Sequence, residues 1–243
     1  LVMNLNYNRI RVPSGSVIMN VTPRRYGVAI RNGDMIGLCN IVEHLRQREK
    51  RQDIKIHIED GTIHKADFRF QFRDFLMQHT DYLSNEPGGM ILDNLYIWNY
   101  RRDAGDYVKI KNPHPQKKKI CITPVFDAQY NKFRNWSIDN TQKFIDQYSI
   151  PEFDEYEKVF CGIVTPSELN YRGFVISKDF IENLNHVMES EIYIGGDTGM
   201  SHFAGSLDPY PKTLIYYLHE NWQKINGEAP LHYKSNATIL NYV

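Results

Sequence analysis

Ile192-Tyr-Ile-Gly-Gly-Asp-Thr-Gly-Met-Ser-His-Phe-Ala-Gly-Ser-Leu207 is the stretch on which the reading of this chain turns. Glu191-Ile-Tyr-Ile-Gly195 predicts a strand, the glycines a tight turn, and Gly199 to Leu207 a short helix. A strand that turns directly into a helix is the building unit of doubly wound α/β sheets. The first N–H groups of such a helix lack intrahelical partners and sit at the positive end of its dipole. Small residues such as Thr198, Gly199 and Ser201 let an anion come close to them. Asp197 and Thr198 are suited to cap the turn, and His202 lies one turn into the helix. The same pattern also serves as a plain strand-to-helix turn, so by itself it speaks to fold rather than ligand.

Outward from this stretch, apolar runs alternate with amphipathic ones. Towards the front, Val17-Ile-Met-Asn-Val21 predicts a strand, and Met35 to Lys50 a helix with Asp34 at its N-cap. Ile54-Lys-Ile-His-Ile58 alternates as a strand, Ala66 to His79 has helical spacing, and Leu95 to Tyr100 predicts another strand. Lys109 to Lys119 contains Pro113, Pro115 and the run Lys117, Lys118, Lys119, and reads as a linker. The expected domains are therefore residues 1–112 and 113–243. In the second, Ile120 to Pro124, Lys158 to Val164 and Thr213 to Leu218 predict strands. Ser137 to Tyr148 and Ser177 to Glu189 predict helices, each with a serine cap. Alternating strands and helices imply two Rossmann-like halves with parallel sheets, facing each other across a cleft.

The composition excludes several classes. With 42% hydrophobic and 24% charged residues over 243 positions, the chain can bury a core and is not disordered. Lys+Arg and Asp+Glu both total 29, so bulk charge does not drive binding to nucleic acid, although a local basic groove stays open. Cys39, Cys121 and Cys161 form no metal spacing, and their odd, scattered set suits a reducing cytoplasm. No apolar run is long enough for a membrane span, and no signal peptide is visible at Leu1-Val-Met-Asn-Leu-Asn6.

Gly196-Asp-Thr-Gly-x-Ser-His-x-Ala204 resembles the signature of the ADP-heptose:lipopolysaccharide heptosyltransferase family, glycosyltransferases of the GT-B fold. Other positions follow in the family's order. Asn32-Gly33-Asp34-Met35-Ile36 resembles its N-terminal turn into the first helix. Thr123-Pro124, then Lys132-Phe-Arg-Asn-Trp136, resembles its strand, loop and helix entry. Gly162 to Glu168 resembles a strand end carrying a glutamate, and Ile215 to Gly227 the last strand and returning loop. The chain departs from the pattern in running shorter, in Arg134 where the family has Lys, and at Ser201 and Phe203.

The resemblance implies an α/β GT-B enzyme that takes a nucleotide-sugar donor and inverts the anomeric centre by direct displacement. Thr123, Asp197, Thr198, Gly199, Ser201 and His202 would meet the donor. Arg134 and Lys132 would neutralise the leaving diphosphate, Glu168 would bind ribose hydroxyls, and Asp34 would be the general base. No Asp-x-Asp pair sits beside the phosphate turn, so no metal or other cofactor is expected. Each residue also has a plainer reading. Asp34 serves equally as a helix cap, Asp197 as a turn cap, Lys132 as a solvated loop residue and Trp136 as packing. His57 and His79 read as ordinary surface or core residues, and Cys121 and Cys161 as small buried hydrophobes.

Two acceptors compete. One is a lipopolysaccharide or other glycan; the other is a hydroxymethylated pyrimidine in DNA, as used by phage base-glycosylating enzymes of GT-B fold. The arginines Arg24, Arg25 and Arg31 beside Asp34, and the basic run through Lys117, Lys118 and Lys119, favour DNA. Tyr26 and Trp98 would then fill the gap left by a flipped base or hold that base. A non-catalytic nucleotide-binding relative is the remaining class, disfavoured because Asp34 and the Asp-Thr-Gly turn are both kept.

Overall fold

The computed structural model describes residues 10–22, 30–63, 65–93, 108–126, 132–220 and 237–242. The expected strand at Leu95 to Tyr100 lies outside the described residues, as do Arg24, Arg25, Tyr26, Trp98 and Gly227. The chain divides into two compact units, with the division between Lys111 and Asn112.

The first unit holds a parallel sheet of three strands: β1 (Val17–Thr22), β2 (Ile54–Ile58) and β3 (Met90–Asp93), in the order β2-β1-β3. Helix α1 (Asn32–Glu49) follows β1, and α2 (Asp67–His79) follows β2. Met19 and Val21 of β1, Ile54 and Ile56 of β2, and Ile36, Leu38, Ile41 and Leu45 of α1 are buried together in this unit's core. Each such side chain contributes about 1.5–3 kcal/mol. Asn20 stands beside that core, accepting from the Gly88 N–H at 2.8 Å and donating to the Gly88 carbonyl at 2.5 Å. A Cβ at Gly88 would run into the backbone of Ile18, so β1 and the entry to β3 approach through a glycine. Arg46 is buried at the far end of α1. It donates to the Ile54 carbonyl at 2.9 Å and to the carboxylate and carbonyl of Asp81 at 2.8 and 3.0 Å.

The second unit is a six-stranded, all-parallel sheet of β4 (Lys117–Thr123), β5 (Glu157–Cys161), β6 (Val175–Ser177), β7 (Ser190–Gly195), β8 (Thr213–His219) and β9 (Thr238–Tyr242). Its strand order is β6-β5-β4-β7-β8-β9, with every pairing parallel. This is the doubly wound Rossmann order, and it places the topological switch point between β4 and β7. Helices α3 (Ile138–Gln147), α4 (Phe180–Glu189) and α5 (Gly199–Ser206) complete the unit. Alternation along the strands sorts the core. Ile120, Ile122, Ile192 and Ile194 join Phe144, Ile145 and Trp136 in one cluster. Their strand neighbours Cys121, Thr123 and Tyr193 point to the other face.

Several elements differ from the sequence reading. Lys117 to Lys119 are not linker but the first residues of β4, because Pro113 and Pro115 precede the strand rather than interrupt it. The N-cap of α1 is Arg31, and Asp34 sits three residues in, accepting the Arg31 N–H at 3.0 Å. Asp179, not Ser177, caps α4, with its carboxylate accepting the Glu182 N–H at 2.9 Å; Ser177 ends strand β6. Ser137 caps α3 as expected. Strands β3, β6 and β9 have no counterpart among the expected elements. The three cysteines are buried and free, and Cys121 and Cys161 bring their sulfurs to 3.3 Å.

Candidate functional site

The carboxyl ends of β4 and β7 are Thr123 and Gly195, paired in register at the switch point. Ligands in open α/β sheets bind at that edge, where the connections leave in opposite directions. After β7 the chain turns through Gly196 and Asp197 into α5. Thr198 is the N-cap, and its hydroxyl accepts the Ser201 N–H at 3.3 Å. The Thr198 N–H donates to the Gly196 carbonyl at 2.9 Å. Neither glycine is needed for a positive φ; both are needed for space. A Cβ at Gly195 would have the oxygens of Tyr193, Ser201 and Thr123 no farther than 2.7 Å away. A Cβ at Gly196 would meet the indole nitrogen of Trp136 at 2.8 Å.

The loop after β4 supplies the basic group. Arg134 brings its guanidinium to 2.8 Å from the Asp197 carboxylate, which is itself 5% exposed. His202 Nε2 lies 3.9 Å from the other Asp197 oxygen. Trp136 anchors this loop: its N–H donates to the Val125 carbonyl at 2.7 Å, and its ring packs on Phe144 and Tyr217. The Trp136 indole N–H is buried without an acceptor among the described residues and faces Gly196. Arg134, Trp136, Asp197, Thr198 and His202 therefore converge on the first turn of α5.

Two hydroxyls named from the sequence are spent inside the protein. Ser201 is fully buried and donates to the Gly196 carbonyl at 2.5 Å. Thr123 is bonded to the Tyr193 hydroxyl at 2.6 Å, and Tyr193 to Ser201 at 2.9 Å. Sequence reasoning passed over Tyr193, which reads as one more apolar strand residue. The signal available was a tyrosine two residues before a glycine, whose missing side chain leaves room for the ring's hydroxyl. Glu168 lies on the exposed loop after β5, where its carboxylate accepts from Ser167 at 3.2 Å.

In the first unit, Asp34 is 5% exposed and shares its carboxylate with the Arg31 N–H. Arg31 is half-buried at this helix entry.

The basic run Lys117 to Lys119 is not at the candidate site. β4 spans seven residues, about 20 Å at a strand's rise, so these lysines sit at the opposite edge of the sheet from Thr123. Lys117 pairs with Glu189 at 2.5 Å and Lys118 with Glu155. Lys119 is 3% exposed and held by Glu189 at 2.5 Å and Glu157 at 3.2 Å. Burial alone would raise the Glu189 carboxyl, but the bonds from Lys117 and Lys119 hold it at about 2. These three cations face the protein's own carboxylates, at the edge of the sheet away from the candidate site. Among the described residues no helix is long and apolar enough to cross a membrane. No three His, Cys, Asp or Glu side chains among them converge as metal ligands.

No protein-family model matches the chain, and no curated protein matches it either. Solved structures do. E. coli heptosyltransferase WaaC with ADP is similar at a TM-score of 0.53 and 11% identity, over 93% of each chain. The glycosyl transferase family 9 protein from Veillonella parvula gives 0.55 at 10% identity, over 93% of this chain and 86% of its own. WaaC with ADP-2-deoxy-2-fluoro heptose gives 0.50 at 10% identity, over 92% of each chain. At these identities the likeness is one of fold: two units of parallel, helix-covered sheet, as in GT-B glycosyltransferases.

Proposed function

We propose that the protein is a glycosyltransferase that moves a sugar from a nucleoside-diphosphate donor to an acceptor hydroxyl. The observation that carries this reading is the convergence of Arg134 and the first turn of α5 at the β4–β7 switch point. A helix N-terminus and a guanidinium together suit two adjacent phosphates. The buried Trp136 N–H beside Gly196 adds a donor whose desolvation is already complete. Proteins of similar fold have been solved with ADP and with ADP-2-deoxy-2-fluoro heptose, which agrees with a nucleoside-diphosphate donor.

The chemistry is a single displacement that inverts the anomeric carbon. The Asp34 carboxylate takes the acceptor's hydroxyl proton, the acceptor oxygen bonds to the anomeric carbon, and the bond from that carbon to the β-phosphate oxygen breaks. The nucleoside diphosphate leaves with its new charge facing Arg134 and the dipole of α5, which act in place of a metal. Lys132 is a second cation on the same loop. Glu168, on the loop after β5, accepts from ribose hydroxyls, and Thr198, Gly199 and His202 line the phosphate turn.

We propose a glycan hydroxyl as the acceptor. The hydroxymethylated-pyrimidine reading drew on the basic run from Lys109 to Lys119, of which Lys117, Lys118 and Lys119 are ion-paired at the sheet edge opposite Thr123. Arg24, Arg25 and Arg31, with Lys109 and Lys111, remain for that reading. Incubating the protein with a panel of nucleotide-sugars and either oligosaccharide or hydroxymethylated DNA, followed by mass analysis of both, separates the two. A sugar-mass adduct on the oligosaccharide supports the proposal, whereas an adduct on digested nucleosides overturns the acceptor assignment. Transfer to neither, with no nucleoside diphosphate released, counts against the glycosyltransferase reading itself.

A further inference from the structure

Four groups at the switch point form a chain of hydrogen bonds whose direction is fixed by proton count. Ser201 has one hydroxyl proton and gives it to the Gly196 carbonyl at 2.5 Å. The 2.9 Å contact between Tyr193 and Ser201 must then be donated by Tyr193. Tyr193 has only that proton, so the 2.6 Å contact with Thr123 is donated by Thr123. The order is Thr123 to Tyr193 to Ser201 to the Gly196 carbonyl. The three hydroxyls come from β4, β7 and α5, and they are buried. Burial pushes the Tyr193 hydroxyl above its ordinary range, so it stays a donor at any working pH.

We infer that Tyr193 is a positioning residue for the phosphate turn: its hydroxyl ties the end of β4 to the first turn of α5 and sets the affinity for a diphosphate. This rests on the donor reading above. The Gly196 carbonyl is held by both the Ser201 hydroxyl and the Thr198 N–H, so the entry to α5 is fixed before a ligand arrives. Such preorganisation raises affinity by lowering the ordering cost of binding. The same proton count gives Thr123 a different role from the one the family resemblance implies. Its proton is consumed by Tyr193, leaving only lone pairs, which an anion does not accept. Thr123 anchors the relay and does not donate to phosphate.

Tyr193→Phe removes the hydroxyl and keeps the ring. Affinities of the full chain for ADP, UDP and the other nucleoside diphosphates, and for inorganic pyrophosphate, are measured by calorimetry alongside the melting temperature. The expected result is about tenfold weaker binding of the preferred nucleoside diphosphate and of pyrophosphate, equivalent to about 1.4 kcal/mol. Thr123→Val is expected to weaken binding in the same direction, with the double variant no weaker than Tyr193→Phe. Ile145→Ala opens a cavity in the same unit on the sheet face opposite Thr123 and Tyr193, and is expected to lower the melting temperature without changing affinity. If Tyr193→Phe does not fold, Thr123→Val carries the test. Unchanged or tighter binding in the folded relay variants overturns the inference while the donor reading stands. Failure of the wild-type protein to bind any nucleoside diphosphate or pyrophosphate overturns the donor reading, and this inference with it.

Discussion

The Arg134 guanidinium sits 2.8 Å from the Asp197 carboxylate, and this one ion pair ties the loop after β4 to the turn after β7. Asp197 is nearly buried, so the pair is screened far less than a surface bridge. It also holds a cation at the switch point whether or not a ligand is present.

Removing that cation has two expected effects. Arg134→Ala leaves a buried carboxylate without its nearest full positive charge and lowers stability by about 3 kcal/mol. It also weakens nucleoside-diphosphate binding by at least about tenfold. Arg134→Lys keeps the charge and loses the fork, so its affinity falls between the two. Urea unfolding and calorimetry on the three proteins check the ranking.

One substitution separates the helix-entry contact of Asp34 from its proposed role as general base. Asp34→Asn keeps an oxygen to accept the Arg31 N–H, so the melting temperature stays close to wild type. With Asp34 as the proposed general base, transfer is expected to fall by about 100- to 10,000-fold with donor affinity unchanged. Transfer at the wild-type rate would leave Asp34 as a helix-entry residue only.

The Lys117–Lys119–Glu189 cluster gives stability a defined pH response. Glu189 is held at about 2, below its ordinary 4.5. Its contribution is complete above 4.5 and is lost as pH falls towards 2. His186 faces the same cluster, with Nδ1 3.1 Å from Lys119. Burial first, and Lys119 second, depress it below 6.5. Its contribution is complete above 6.5 and declines as pH falls below that value. Urea midpoints measured from pH 7 to pH 3 should decline throughout, and Glu189→Gln should flatten the part below 4.5.

Gly195→Ala places a methyl group among the hydroxyls of Tyr193, Ser201 and Thr123. Overpacking of this kind costs about 1–3 kcal/mol. Adding Tyr193→Phe removes the nearest oxygen and should recover part of that loss. Gly88→Ala is expected to be worse than Gly195→Ala, because its obstacle is the Ile18 backbone, which cannot rotate away. Thermal melts of the three variants beside the wild type test the order.

Much of the architecture was legible because period and punctuation agreed. The alternation through Ile54 to Ile58, the serine before α3 and the glycines after β7 each carry a local signal that the tertiary structure keeps. Errors arose where a local signal had two outcomes. Pro113 and Pro115 mark the end of a connection as readily as its middle, so the following lysines passed for linker although they begin a strand. Asp34 satisfies a helix entry from the third helical position as well as from the cap, and only the Arg31 N–H contact distinguishes them. Strand β6 is three residues at a sheet edge, too short to show a period. In the site, Asp197 and Thr198 could be named from the strand–turn–helix pattern, and Arg134 from the family resemblance. The relay through Tyr193 could not, because it depends on the β4–β7 register that pairs Cys121 with Tyr193 and Thr123 with Gly195.

The most direct test of the central claim is a crystal structure of the chain with the nucleoside diphosphate that it binds most tightly. The two phosphates are expected within hydrogen-bonding distance of the first N–H groups of α5 and of the Arg134 guanidinium. A diphosphate bound anywhere else on the protein, or no binding of any nucleoside diphosphate up to millimolar concentration, would contradict it.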